Sequence, residues 1–250
     1  MSKRSPPTQL CLEDILFEQG FGTRRICSGL VQQGHVSVAG ERVSDPLAMF
    51  ELDGLVLRVQ DLDWVCQRVA YAVMHKPAGY EVSQKPKHHA SVYSLLPYPL
   101  RQRPSKGTQG VQAVGRLDED TTGLLLLSDD GQFIHRMSSP KHHVPKVYEV
   151  ALVHAMEPSA VQRLLAGVVL DDDPQPVAAA AAALVAPTHL RMTLLEGKYH
   201  QVKRMVAAVG NRVASLHRSQ MGELSLGDLP EGEWRWLTPD EVSGLTRKRK

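Results

Sequence analysis

The stretch Val114–Phe133, VGRLDEDTTGLLLLSDDGQF, constrains this chain more than any other. Four consecutive leucines, Leu124 to Leu127, follow a Thr121-Thr122-Gly123 turn, and Asp129-Asp130-Gly131 ends the run. An apolar run bounded in this way reads as a strand buried on both faces. Just before it, Arg116, Asp118, Glu119 and Asp120 crowd one short loop. Reactive side chains are often carried on loops that a rigid scaffold positions. A helix cap or a solvated turn would use the same residue types, and this stretch alone leaves both readings open.

Length and composition narrow the setting. A chain of 250 residues makes one large domain, or one large and one small. With 42% hydrophobic and 22% charged residues it is ordinary for a soluble globular protein. The net charge of +2 hides an uneven distribution. Residues 1–60 are near neutral, whereas Val65–Gly115 sets seven Lys and Arg against Glu81 alone, and Leu190–Arg218 sets six against Glu196 alone. Two basic segments suggest a polyanionic partner. Cys11, Cys27 and Cys66 form no C-x-x-C pair, which argues against a disulfide framework or zinc knuckle and fits a reducing cytoplasm. No apolar run approaches a membrane span, and the start MSKRSPP is no secretion signal.

Along the chain, the spacing predicts a helix over Leu10–Gly20 and a second one capped by Thr23, carrying Ile26, Cys27, Leu30 and Val31. Arg24 and Arg25 then fall in its first turn, where the helix dipole disfavours cations, so a partner outside the helix is expected. A hairpin follows across Ala39-Gly40, then a strand over Leu55–Val59. Asp61–Arg68 reads as a linker. Beyond it, strands are expected at Tyr71–Met74, Val147–Val153, within Ala178–Ala183, and at His189–Leu195, Val213–Leu216, Glu223–Leu226 and Trp234–Leu237. Helices are expected at Phe133–Met137, Pro158–Ala166 and Gln201–Val209. Strands without a regular βαβ repeat predict an α+β fold on a mixed, mainly antiparallel sheet. The predicted layout is a small domain over 8–60, a linker over 61–68, a large domain over 69–245 and a basic tail over 246–250.

Common cofactor motifs are missing: there is no G-x-G-x-x-G after a strand and no phosphate-binding G-x-x-x-x-G-K-[ST] loop. The pairs His88-His89 and His142-His143 are adjacent rather than i, i+4, so structural or RNA-contacting roles outweigh a metal site. Asp171-Asp172-Asp173 and Asp129-Asp130-Gly131 read as solvated turns. Three segments are stronger: Gly115-Arg116-Leu117-Asp118, Lys146-Val147-Tyr148, and Glu196–Met205, reading EGKYHQVKRM. Each alone is weak, but their order is highly specific.

That order resembles the pseudouridine synthases, in the branch that modifies ribosomal RNA and carries an S4 RNA-binding domain ahead of the catalytic domain. The resemblance runs from about Leu10 to Leu237 and includes Lys76–Tyr80, Ser139–His143 and Val213–Arg218. In the S4-like part, Ala39 stands where an Asn is usual, and the charge is low for this module. The resemblance implies that uridine becomes pseudouridine without cofactor or metal. Asp118 would be the nucleophile, Tyr148 the ring that stacks on the flipped base, and Lys203 the cation paired with the aspartate. Arg116 would hold the flipped nucleotide. Further RNA contacts would come from Arg24, Arg25, Lys76, Lys141, His142, Lys198, His200, Gln201 and Arg204, while Asp120 and Thr122 would shape the turn. The Ser139–His143 loop and Tyr199-His200 look most like the members of this branch that act on the small subunit, a resemblance that implies uridine 516 of 16S ribosomal RNA in standard rRNA numbering. That RNA would be met in a partly assembled small subunit, by a cytoplasmic monomer.

The chemistry suits such residues. A base must leave its stack to react, at a cost of a few kcal/mol. Stacking on an aromatic ring returns roughly 1–3 kcal/mol, and a carboxylate is a competent nucleophile at carbon. The alternatives are the same reaction at a 23S rRNA uridine, or a non-catalytic S4-domain RNA-binding or ribosome-assembly protein. A glycosidase would need two carboxyls across a sugar cleft rich in aromatics, and only 5% of residues here are aromatic.

Overall fold

Contacts divide the chain into two units: Met1–Ala70 with Leu96–Gln112, and Tyr71–Leu95 with Ala113–Lys250. The computed structural model describes residues 9–104, 109–170 and 173–247. The predicted turn at Asp171-Asp172 and most of the basic tail lie outside the described residues.

In the first unit, the helix spans Leu12–Gln19, beginning later than predicted because Gln9–Cys11 pairs as a strand with Met49–Glu51. The second helix, Arg24–Gln32, opens on Thr23, whose hydroxyl accepts from the Ile26 N–H. Arg24 explains its awkward place in that first turn. Its Nε donates to Asp14 Oδ1 at 2.8 Å, and its guanidinium lies 4.2 Å from the centre of the Phe17 ring, which clamps the two helices together. A four-stranded antiparallel sheet follows, in the order Glu41–Arg42, Val36–Val38, Val56–Val59, Leu62–Val65.

The predicted linker over 61–68 is therefore corrected, since Leu62–Val65 is an edge strand of this sheet. The cause is Trp64, whose buried ring meets Phe21 edge to face and whose Nε1 donates to Gln19 Oε1 at 3.1 Å. Residues 96–104 and 109–112, predicted to belong with the large domain, pack in this unit instead. Arg103 is their anchor: it donates to Gln19 Oε1, Gln67 O and Arg68 O.

The second unit is built on a mixed sheet. Its strand order is Ala181–Ala186, His189–Leu194, Lys146–Leu152, Val213–Met221, Thr121–Ser128, Tyr71–Lys76, Trp234–Trp236. Along this path, only the pairing of Thr121–Gly123 with Leu216–Arg218 is parallel. The architecture is α+β. Leu124 to Leu127 have no exposed surface. Leu124 and Leu126 pack with Val73, Phe133 and Met137, so the run is buried as its sequence predicts. Gly123 has to be glycine. Its φ is +111°, and a Cβ would collide with the Arg218 carbonyl oxygen across the parallel pairing.

The helix Gly131–Ser138 is longer than predicted because Asp130 is its cap, accepting from the Gln132 N–H, while its other oxygen accepts from the Tyr71 hydroxyl. The alanine-rich segment forms a strand, Ala181–Ala186, against helix propensity, since it pairs with His189–Leu194 across a short turn. The final helix, Pro239–Thr246, starts in a capping box between Thr238 and Glu241, and it takes Thr246 out of the predicted tail. Among the described residues, no helix is long and apolar enough to cross a membrane.

Candidate active site

The loop before the leucine strand is held by backbone groups. Val114 N–H donates to Leu126 O at 2.8 Å, Thr121 N–H to Asp118 O at 3.1 Å, and Gly79 N–H to Glu119 O at 3.0 Å. Lys76 completes the frame from the neighbouring strand. It was expected to touch RNA, yet it is 0% exposed. Its Nζ donates to Pro77 O, Glu119 O and Thr121 O at 2.8, 3.0 and 2.9 Å. An ammonium has three donors, and these three acceptors use them all. Burial pulls the Lys76 pKa down to about 8, against the pull of Glu119, Asp120, Asp118 and Glu231. The prediction is corrected: Lys76 organises the loop and does not contact RNA.

So fixed, Asp118 stands at a cavity with a volume of about 130 Å³, walled by Tyr148, Leu194, Val202, Leu216 and Met221. A cavity of roughly 150 Å³ accepts a benzene ring, so this one is on the scale of a single base rather than an oligosaccharide. Two basic side chains flank the Asp118 carboxylate, from the Gln201–Ala208 helix and the residue before it. His200 Nε2 lies 3.3 Å from Oδ1, and Lys203 Nζ lies 3.2 Å from Oδ2. Lys203 is shared, because Asp120 Oδ1 is nearer still at 2.6 Å. Burial works to lower the Lys203 pKa, but the bond to Asp120 and the charge of Asp118 outweigh it and the net shift is upward. For Asp120, burial works upward and the Lys203 hydrogen bond wins, so its carboxyl is held below the usual range. Asp120, expected only to shape the turn, is thus part of the electrostatic cluster.

His200 reaches Asp118 because its backbone is left-handed, with φ 48° and ψ 32°, and its ring stacks on Tyr199 at 3.8 Å. A non-glycine residue held there costs of order 1–3 kcal/mol, and such strain gathers at functional sites. The αL turn also starts the helix, so one backbone feature sets both His200 and Lys203.

Tyr148 is buried, with its side chain at the cavity, on a strand whose alternation points Lys146, Tyr148 and Val150 inward. Arg116 is exposed at the rim. Lys198 also lines the cavity. Arg204 is half-buried and donates to Tyr199 O, and Lys141 and His142 are exposed, with His142 edge to face on His135. Gln201, expected as an RNA contact, is buried. Its amide is used internally, accepting from Lys198 N–H and donating to Glu196. Arg24 and Arg25 belong to the first unit, and both are exposed. The His88-His89 segment is shaped by Glu81, which accepts the backbone N–H groups of Lys87, His88 and His89; these bonds hold its carboxyl down to about 2.

The comparisons with known proteins meet this geometry. The family model for RNA pseudouridylate synthase matches residues 70–208, and that for the S4 domain matches residues 12–46. The chain belongs to the RNA pseudouridylate synthase family. It is 36% identical over 94% of its length to the ribosomal small subunit pseudouridine synthase A of Pasteurella multocida, covering 99% of that protein. It is 37% identical to the protein of the same description from Escherichia coli K12, over 93% of this chain and 98% of that one. A crystal structure of a pseudouridylate synthase superposes with a TM-score of 0.65 at 33% identity, over 95% of this chain and all of the other. The protein is therefore a pseudouridine synthase with an S4 domain ahead of the catalytic one.

Sequence reasoning missed two residues of this synthase's cavity, Lys146 and Arg218. Both stood inside quoted motifs. The signal was a cation at an inward position of an alternating strand, two residues from Tyr148 in one case and from Leu216 in the other.

Proposed function

We propose that this synthase converts uridine 516 of 16S ribosomal RNA to pseudouridine, acting as a cytoplasmic monomer on a partly assembled small subunit, with Asp118 as nucleophile. The observation that carries this reading is the Asp118 carboxylate, held between His200 and Lys203 at a cavity of base size beside Tyr148. The flipped uracil stacks on Tyr148. Lys203 and His200 keep the carboxylate aimed, and Lys203 offsets the charge it brings to the site.

Arg116, at the rim, holds the displaced nucleotide through its phosphate, a task suited to a planar guanidinium. Lys141, His142, Lys198 and Arg204 extend the basic surface, and Arg24 and Arg25 of the S4 domain add RNA affinity. The choice of small-subunit RNA is supported by the relatives' names and by the near-complete span over which the chain matches them.

Tritium release from 5-tritiated uridine in small-subunit rRNA tests the chemistry. Wild type releases tritium, and Asp118→Asn loses at least about 10⁴-fold in rate. Activity surviving in that variant would refute the nucleophile. Carbodiimide and primer-extension mapping in cells lacking the protein tests the position: the stop at uridine 516 disappears, and its persistence would exclude this target.

A further inference from the structure

Lys146 and Arg218 form a cationic floor to the cavity that the proposed reaction leaves unused. Lys146 is 8% exposed and Arg218 is 2% exposed. Charged side chains are almost never buried so deeply unless paired, yet among the described residues neither makes an ion pair. Arg218 Nε donates to Leu124 O at 2.8 Å, while its Nη2 is buried with no hydrogen-bond partner. Lys146 Nζ donates to Val144 O at 3.0 Å, one acceptor for three donors.

Their mutual repulsion adds to burial in drawing the Lys146 pKa down to about 8, and Glu196 opposes it from a distance. Glu196 is itself engaged by Gln201. Both cations line the Asp118 cavity, beside the apolar Leu194, Val202, Leu216 and Met221. Two buried cations with unused donors, in a cavity of base size, call for a flat ligand whose buried edge offers acceptors. Guanidinium and ammonium groups have no lone pair to offer in return. A pyrimidine with a 4-carbonyl presents an acceptor where cytosine presents an amino donor.

We propose that Lys146 and Arg218 select uracil over cytosine by donating to the 4-carbonyl of the flipped base. This rests on the proposed function only in that the cavity beside Asp118 receives the target base. Gly123 sharpens the selection, because the close approach it permits fixes the Arg218 backbone against the leucine strand. The cytosine amino group would meet donors it cannot satisfy, and an unpaired buried polar group is what gives polar sites their large discrimination.

The test is titration of the full chain with uridine 5′-monophosphate and with cytidine 5′-monophosphate, followed by ligand-observed NMR. Wild type binds the uridine nucleotide about tenfold more tightly or better. Lys146→Met and Arg218→Lys bring the ratio towards one. Leu216→Ala, which alters only an apolar wall, weakens both ligands alike.

Thermal melts identify variants that fail to fold, and the Lys146→Met result stands if Arg218→Lys is among them. An undiminished preference in folded Lys146→Met overturns the proposal, as does wild type binding both nucleotides equally; the floor would then hold only water. Asp118→Asn keeps the preference if the floor selects. Its tritium release therefore tests the nucleophile separately, and failure of one reading is not failure of the other.

Discussion

Lys76 and Lys146 lie in the same unit, both are buried, and burial draws the pKa of each down to about 8. They differ in what their donors meet. Lys76 has three backbone carbonyls, and Lys146 has one. Arg103 and Arg218 repeat the contrast at equal burial, since Arg103 bonds to Gln19, Gln67 and Arg68 while Nη2 of Arg218 meets nothing. A buried cation with its donors used holds the chain to itself. One with donors left over is held ready for something that is not the chain. The same burial value thus marks a structural residue in one place and a recognition residue in another.

The contrast breaks most readily at Lys76. Lys76→Met removes a donor from three carbonyls, of which Glu119 O keeps only the Gly79 N–H, and should cost about 3 kcal/mol or more in urea unfolding. It also unties the loop that aims Asp118, so tritium release falls by about 100-fold or more at temperatures where the variant remains folded. A Lys76→Met protein as stable and active as wild type would dissolve the distinction.

Lys146→Met should do the reverse, gaining about 1 kcal/mol at pH 7, because a buried charge with one acceptor gives way to an apolar chain of similar length. Its pH dependence sharpens the point. The folded-state pKa of about 8 lies below the ordinary 10.5. Below pH 8 both states hold the proton, and the folded state carries the full cost of burying it. Between these values the unfolded chain holds the proton and the folded one does not, so stability rises with pH through that window. Lys146→Met flattens part of this rise, while Lys76, with Glu119, Asp120, Asp118 and Glu231 around it, supplies the remainder. Urea midpoints at about pH 7 and pH 9.5 read the difference.

The smallest effects are at strained backbone. Ala39 and His200 have nearly equal left-handed φ values, 50° and 48°. Relief of left-handed strain is worth roughly 1–2 kcal/mol, and the entropy of glycine offsets part of that. Ala39→Gly should therefore gain about 0.5 kcal/mol with tritium release unchanged. His200→Gly should gain a similar amount yet lose about tenfold in tritium release, since the Asp118 contact goes with the ring. Equal losses of activity in the two variants would mean that the His200 strain has no special tie to the site.

What the sequence made legible follows local rules. The leucine strand announced itself by unbroken apolarity, the Arg24–Gln32 helix by Thr23, and the order of three motifs carried Asp118, Tyr148 and Lys203 to one place. What escaped depended on partners far away in the chain. Leu62–Val65 looked like a linker because two aspartates flank its outward face, and only the Trp64 pocket makes it a strand. The family resemblance places Lys76 at the RNA, and the three acceptors that bury it come partly from residues more than forty positions on. Arg218 lay just past the predicted strand Val213–Leu216, and its inward position became plain only with its pairing across Gly123.

That pairing has a consequence for how the molecule comes into being. Arg218 bonds to Leu124 across a separation of 94 residues, and the parallel register beside it closes a loop of the same order. Long-range parallel pairing forms late, because the entropy of closing the loop is lost before contacts return it. On the ribosome, Asp118 emerges well before the strand that lies against its own. A nascent or truncated chain would present an S4 domain able to engage RNA, together with an aspartate that as yet has no chamber in which to act.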